Sequence, residues 1–101
     1  MKTLVKGEQI KAYFPGESMW VEIIEVINST QVIAKLLNCP VATQVKKADE
    51  QGVEVPEHIR YAAENIKHDV KEWGELVELE LKKLHDDVPP TWEFLKKYQV
   101  N

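Results

Sequence analysis

Cys39 and the three histidines, His58, His68 and His85, are the side chains in this sequence best suited to nucleophilic or acid–base chemistry. A thiol attacks as its thiolate, so Cys39 would need a histidine base, a cation or a helix N-terminus to activate it. Its neighbours are Asn38 and Pro40, and every histidine is remote in sequence. Cys39 therefore reads as a small turn residue. Glu64, His68 and Glu72 stand at i, i+4 and i+8 and on a helix would share one face, a spacing that can offer ligands to a metal ion. Such a site requires a further histidine or carboxylate from another element, and none is indicated. Lys67 and Lys71 lie beside these three and suit a solvated, ion-paired face. No catalytic residue, metal-ligand set or cofactor motif is assigned.

Partner recognition is the other chemistry within reach. Trp92 follows Pro89-Pro90 in a stretch that reads as a short terminal helix, where an aromatic can be partly exposed and anchor an interface. Glu72, Glu75, Glu78, Glu80, Asp86 and Asp87 outnumber Lys71, Lys82 and Lys83 around them, a surplus that can attract a basic partner. Trp92, Glu75, Glu78, Asp86 and Asp87 are the candidate partner-binding residues. Trp73 and Trp20 are expected to be packed, Trp73 on an apolar helix stripe and Trp20 under a helix or at the end of a sheet.

These residues need elements to hold them. Ile10, Ala12 and Phe14 alternate with polar neighbours, the period of a half-buried strand, and Pro15-Gly16 marks a turn. Met19 to Ile27 is apolar on both sides, which predicts a central strand covered twice. It is joined to Gln31–Leu37 through Asn28-Ser29-Thr30, and Asn38-Cys39-Pro40 closes the hairpin. Val41, Thr43 and Val45 predict a further short strand, and Val53-Glu54-Val55 a last one. From Pro56 the apolar residues Ile59, Ala63, Ile66, Val70, Trp73, Val77, Leu81 and Leu84 recur every three or four positions. That predicts one long helix, or two bent at Gly74, ending at Asp86-Asp87-Val88-Pro89-Pro90. Val77-Glu78-Leu79-Glu80-Leu81 also alternates strictly, and its strand reading competes with the helix.

Composition narrows the function classes. With 101 residues, 44% of them apolar and 30% charged, the chain can bury one modest core and is not disordered. A net charge of −4 disfavours nucleic acid as the main partner, although Lys46-Lys47 could offer a local basic patch. One cysteine excludes an internal disulfide. The charged start MKTLVKGEQIK is not read as a signal peptide, and no apolar run would span a bilayer, so a cytoplasmic protein is expected.

Met19-Trp20-Val21, the run Ile33-Ala34-Lys35-Leu36-Leu37-Asn38-Cys39-Pro40-Val41, and Val53-Glu54-Val55-Pro56 leading to Ile59 carry a resemblance. Across residues 17–59 the chain resembles the YegJ-like family of small uncharacterised bacterial domains. It departs from the family pattern at Ala34, where glycine is usual, and at Ala48-Asp49, where Gly-Asp is usual. The resemblance implies a compact, strongly bent β-sheet unit in a bacterial or phage protein, and it brings no activity, cofactor or catalytic residue.

The expectation is an α+β domain over residues 1–101, with a bent, even barrel-like antiparallel sheet of four to five strands in 1–55. One long or bent helix and a short C-terminal helix in 56–101 would cover it. The expected function is a small acidic, non-enzymatic protein-interaction module, such as an immunity-type or phage-encoded inhibitor. The alternative is a small-ligand binder or small enzyme with a pocket between sheet and helix, using Tyr13, Trp20 or His58. No cofactor is expected, and an unpaired sheet edge or protruding helix would permit a homodimer.

Overall fold

Ala12 and Phe14 turn inward and Lys11 and Tyr13 outward in the first strand, β1 (Gln9–Phe14), as their alternation requires. The computed structural model describes residues 4–83 and 85–99. Pro15-Gly16 returns the chain, with Gly16 at φ +99°, and pairs Phe14 with Glu17 at the start of β2 (Glu17–Asn28). β2 turns at Ser29-Thr30, where the Asn28 side chain accepts from the Thr30 N–H at 2.9 Å, into β3 (Gln31–Leu36). Both hairpins stand where the turn residues place them.

The remaining elements are α1 (Val41–Glu50), α2 (Glu57–Glu64), β4 (Leu76–Lys82) and β5 (Thr91–Lys97). The five strands close into a barrel in the order β1-β2-β3-β4-β5. Neighbours along the chain pair antiparallel, and β5 returns to β1 in parallel through the pair Tyr13 and Glu93. Register shifts between Ile23 and Glu25 and between Val26 and Asn28 bend the long β2 strand around the barrel. Ala12, Phe14, Met19, Val21, Ile23, Val32, Ala34, Leu36, Val77 and Leu79 fill the interior together with Val70 from the α2–β4 connection.

The class is α+β, but the elements after residue 40 differ from expectation. Val41–Val45 opens a helix where a strand was expected. Val41, Val45 and Ala48 also fit a helical period, and the Glu17 carboxylate accepts from the Val41 N–H at 3.3 Å, supplying from another strand a cap that Pro40 cannot. Val53-Glu54-Val55 forms no strand.

The long helix over 56–86 is not present: α2 ends at Glu64, and Val77-Glu78-Leu79-Glu80-Leu81 lies in β4. β3 on one side and β5 on the other satisfy both edges of β4, and Val77 and Leu79 are fully buried between them. That gain outweighs helix propensity. The expected C-terminal helix is likewise β5, which continues the barrel. Leu84, at the end of the expected stripe, lies outside the described residues. The division into a sheet over 1–55 and a helical cover over 56–101 therefore gives way to a barrel interrupted by a helical insert.

The insert does not cover the sheet. α1 packs on α2, and neither lies along a strand. Arg60 of α2 binds Asp49 of α1 in a two-pronged ion pair, with Nη1–Oδ2 at 3.0 Å and Nη2–Oδ1 at 2.8 Å. The two helices form an arm beside the barrel, in a molecule 45 × 36 × 20 Å across. Eight acids against five bases in residues 41–75 place −3 of the net −4 on the arm and the connection that follows it.

Candidate functional site

Two places concentrate polar or aromatic side chains: a buried clasp where the arm meets the barrel, and one wall of the barrel's outside.

The clasp is made by Glu17 and His68. His68 Nε2 lies 2.6 Å from Glu17 Oε2, with the imidazole fully buried and the Glu17 side chain mostly so. His68 Nδ1 accepts from the Val70 N–H at 3.2 Å, which leaves the ring hydrogen on Nε2 to donate to the carboxylate. Oε1 of Glu17 takes the Val41 N–H. One carboxylate thus fastens the first residue of α1 and the segment after α2 to the first residue of β2. Phe14 and Phe94 stack at 5.1 Å between centroids, and the imidazole lies 5.3 Å from Phe14 and 6.2 Å from Phe94. Both ring nitrogens are engaged and the ring is sealed, so the pair holds structure together and presents no free base to a substrate.

The outer wall is different in kind. Along β2 the alternation that buries Met19, Val21 and Ile23 turns Trp20 outward, where it is 48% exposed. Trp73, just before β4, is 62% exposed, and Lys35 Nζ sits 5.7 Å from the centre of its ring. The Gly74 N–H donates to Leu36 O and the Leu36 N–H to Glu75 O, so the stretch holding Trp73 runs alongside the end of β3. On the other side, Leu37 N–H donates to Trp20 O. Trp20, Leu37 and Gly74 therefore lie in one row across three adjacent chain segments, with Trp73 one residue beyond it. Lys11 stands directly across from Trp20, and Tyr13, half-exposed, extends the wall onto β1.

Trp73 was expected in the core and Trp20 under a helix or at the end of the sheet. A closed barrel has one inside and one outside, and with the helices held away from the wall the second apolar face of β2 stays in water. β2 is consequently not covered twice. Trp73 leaves the expected helix stripe because no helix passes through it.

The candidate partner-binding residues divide. Trp92 turns inward and packs against the barrel core. Glu75 accepts from the Lys71 N–H at 2.6 Å and the Glu72 N–H at 3.1 Å and pairs with Lys97 at 3.2 Å. Burial works against the charged form of Glu75, but those backbone hydrogen bonds and Lys97 outweigh it and hold its pKa below the usual carboxylate value. Glu78 pairs with Lys96 at 3.6 Å on the outer surface. Asp86 and Asp87 are exposed in the β4–β5 connection, where Asp87 contacts His85 and Asp86 lies 3.9 Å from Lys83. The acids belong to strands and turns, so Trp92 and an acidic helix face do not form one surface.

The other sequence candidates are scattered. Glu64 ends α2, His68 is in the clasp and Glu72 is exposed in a turn, so the three do not share a helix face. Among the described residues no group of three or more His, Cys, Asp or Glu side chains could hold a metal ion. Cys39 is half-buried in the turn before α1, with its carbonyl accepting from Gln44 Nε2 at 2.6 Å. His58 lies exposed on α2, remote from any sheet–helix pocket because the helices do not lie on the sheet. Lys46 and Lys47 are exposed on α1. Among the described residues no helix is long and apolar enough to cross a membrane.

No family model matches the chain, and the comparisons with curated proteins and with solved structures gave no match.

The alternation of β2 put Trp20 on the face opposite Met19 and Val21, but with both faces apolar it did not say which one meets water. The clasp carried no signal in the sequence: 51 positions separate Glu17 from His68.

Proposed function

We propose that this protein is a small acidic, non-enzymatic protein-interaction module that engages its partner through the outer wall formed by Trp20, Lys35 and Trp73. The observation that carries the reading is the exposure of two of the three tryptophans on one wall of a barrel whose interior is otherwise filled. Large aromatics left in water are costly unless a partner covers them, and tryptophan dominates the energetics of protein contacts. An immunity-type or phage-encoded inhibitor fits this size and charge, and membership of the YegJ-like group suggested by residues 17–59 is part of the same proposal. The acidic arm would then bias which partners approach and how fast, with the aromatic wall setting affinity.

The test is quantitative capture from bacterial lysate by immobilised protein, comparing the native sequence with Trp20→Ala and Trp73→Ala. A partner retained by the native protein and lost from both variants, with melting temperatures unchanged, supports the reading. Capture indifferent to both substitutions removes it.

A further inference from the structure

We infer that the wall of Trp20, Lys35 and Trp73 takes an extended, proline-rich polypeptide segment bearing one or two acidic residues beside its prolines. The inference rests on the protein-interaction reading and specifies the partner's chemistry.

The first argument is spacing. Trp20 lies on β2 and Trp73 beside the far edge of β3, so their backbones are separated by two inter-strand steps and an offset of one residue. Adjacent strands lie about 4.8 Å apart, which puts the anchoring backbones about 10 Å from one another. A polyproline II segment repeats every three residues with a rise of about 3.1 Å each, returning the same face after about 9 Å. Two prolines three positions apart would therefore match the spacing of the backbones that carry the two tryptophans. Leu37, half-buried between them, gives the intervening floor. Such a segment is already extended in solution, so docking it on a rigid wall orders little chain.

Charge is the second argument. Lys11, across from Trp20, and Lys35, beside Trp73, form no ion pair with any described residue, whereas the other lysines of the strands, Lys82, Lys96 and Lys97, all do. Glu22 faces Lys35 across the β2–β3 pair, so the wall is only mildly positive. Two lysines match one or two carboxylates beside the prolines. They match a nucleic-acid strand poorly, because its regular phosphates would also meet the repulsion of a protein carrying −4.

The experiment uses the full chain and three probes: a short synthetic peptide with two prolines three positions apart flanked by glutamates, the same residues with the prolines made adjacent, and single-stranded oligothymidylate. Tryptophan fluorescence and calorimetry read binding. The spaced peptide is expected to bind, and to bind about tenfold more weakly to Trp20→Ala and to Trp73→Ala. The rearranged peptide should lose a similar factor on the native protein, a comparison that no folding defect can mimic. Equal binding of the two peptides, or binding of neither, overturns the inference. Quenching by oligothymidylate without peptide binding overturns it too and assigns the wall to nucleic acid. If lysate capture still depends on Trp20 and Trp73 while neither peptide binds, the proline inference falls and the interaction reading stands. Capture that is insensitive to both tryptophans removes the interaction reading itself.

Discussion

His68 Nε2 lies 2.6 Å from Glu17 Oε2 inside the protein, and the other oxygen of that carboxylate holds the first N–H of α1. This carboxylate ties the helical arm to the barrel, with Thr43 Oγ1 donating to Lys71 O and Lys67 N–H donating to Pro15 O as further ties between the arm, its connection and the barrel.

Removing the imidazole should therefore cost both packing and a hydrogen bond. His68→Ala leaves a void beside the stacked Phe14 and Phe94 and strips the Glu17 carboxylate of one of its two donors, and is expected to destabilise the protein by about 2–4 kcal/mol. Glu17→Gln keeps the shape but puts a neutral amide where a carboxylate stood, and should cost less, about 1–2 kcal/mol. Urea unfolding of the three proteins checks the order. Equal stability of native protein and His68→Ala would refute the clasp.

Gly16→Ala should be harmful out of proportion to its size. Gly16 adopts φ +99°, and an added Cβ would lie 2.7 Å from Asn65 O and 2.9 Å from Ile66 Cα. The left-handed backbone alone costs about 1 kcal/mol for a residue with a side chain, and the backbone contact forces the end of α2 to move. Hydrogen exchange should accelerate around Asn65–Lys67 as well as at the turn itself, whereas Gly7→Ala, with open space around the added carbon, should leave that segment unchanged.

Glu75 gives the stability a defined acid dependence. Its folded pKa is depressed, so between that value and its unfolded value near 4.5 the unfolded chain binds more protons than the folded one. Stability from Glu75 is then fully present above about pH 4.5 and is lost as pH falls through the lower folded value. Glu75→Gln should flatten the decline of melting temperature in that acid range and change little near neutrality beyond a constant offset. A decline identical to that of the native protein would show that Lys71, Glu72 and Lys97 do not hold the carboxylate as described.

The barrel interior and its outer wall should answer truncation differently. Leu79→Ala, deep in β4, is expected to cost about 2–5 kcal/mol, whereas Trp20→Ala and Trp73→Ala should each stay within about 0.5 kcal/mol of the native protein. Tryptophan emission gives an independent check: it should move to shorter wavelength when Trp20 and Trp73 are both replaced, because the partly buried Trp92 is what remains.

Some of this architecture was legible in the residues. Pro15-Gly16 and Asn28-Ser29-Thr30 locate both early turns because their chemistry is local: a fixed proline φ, a glycine free to take a positive one, an asparagine that bonds its own backbone. The inward Ala12 and Phe14 follow from alternation with polar neighbours, whereas in β2 alternation groups Met19, Val21 and Ile23 on one face without choosing it over the equally apolar other. The competing strand over Val77–Leu81 was legible as well, but only as one of two patterns, since Val77 and Leu81 satisfy a helical step while Val77, Leu79 and Leu81 satisfy a strand's.

What decided between such patterns lay elsewhere in the chain. β4 is a strand because β3 and β5 both offer it hydrogen-bonding edges, and Val41–Glu50 is a helix whose first N–H is capped by a carboxylate 24 positions away. Trp20 and Trp73 are exposed because the helices pack on each other and leave the barrel wall bare. By itself the sequence determined turns, strand faces and the acidic charge, all properties of neighbouring residues. Tertiary structure alone decided barrel closure, the Glu17–His68 clasp and which aromatics meet water, because each depends on segments that become neighbours only when the chain folds.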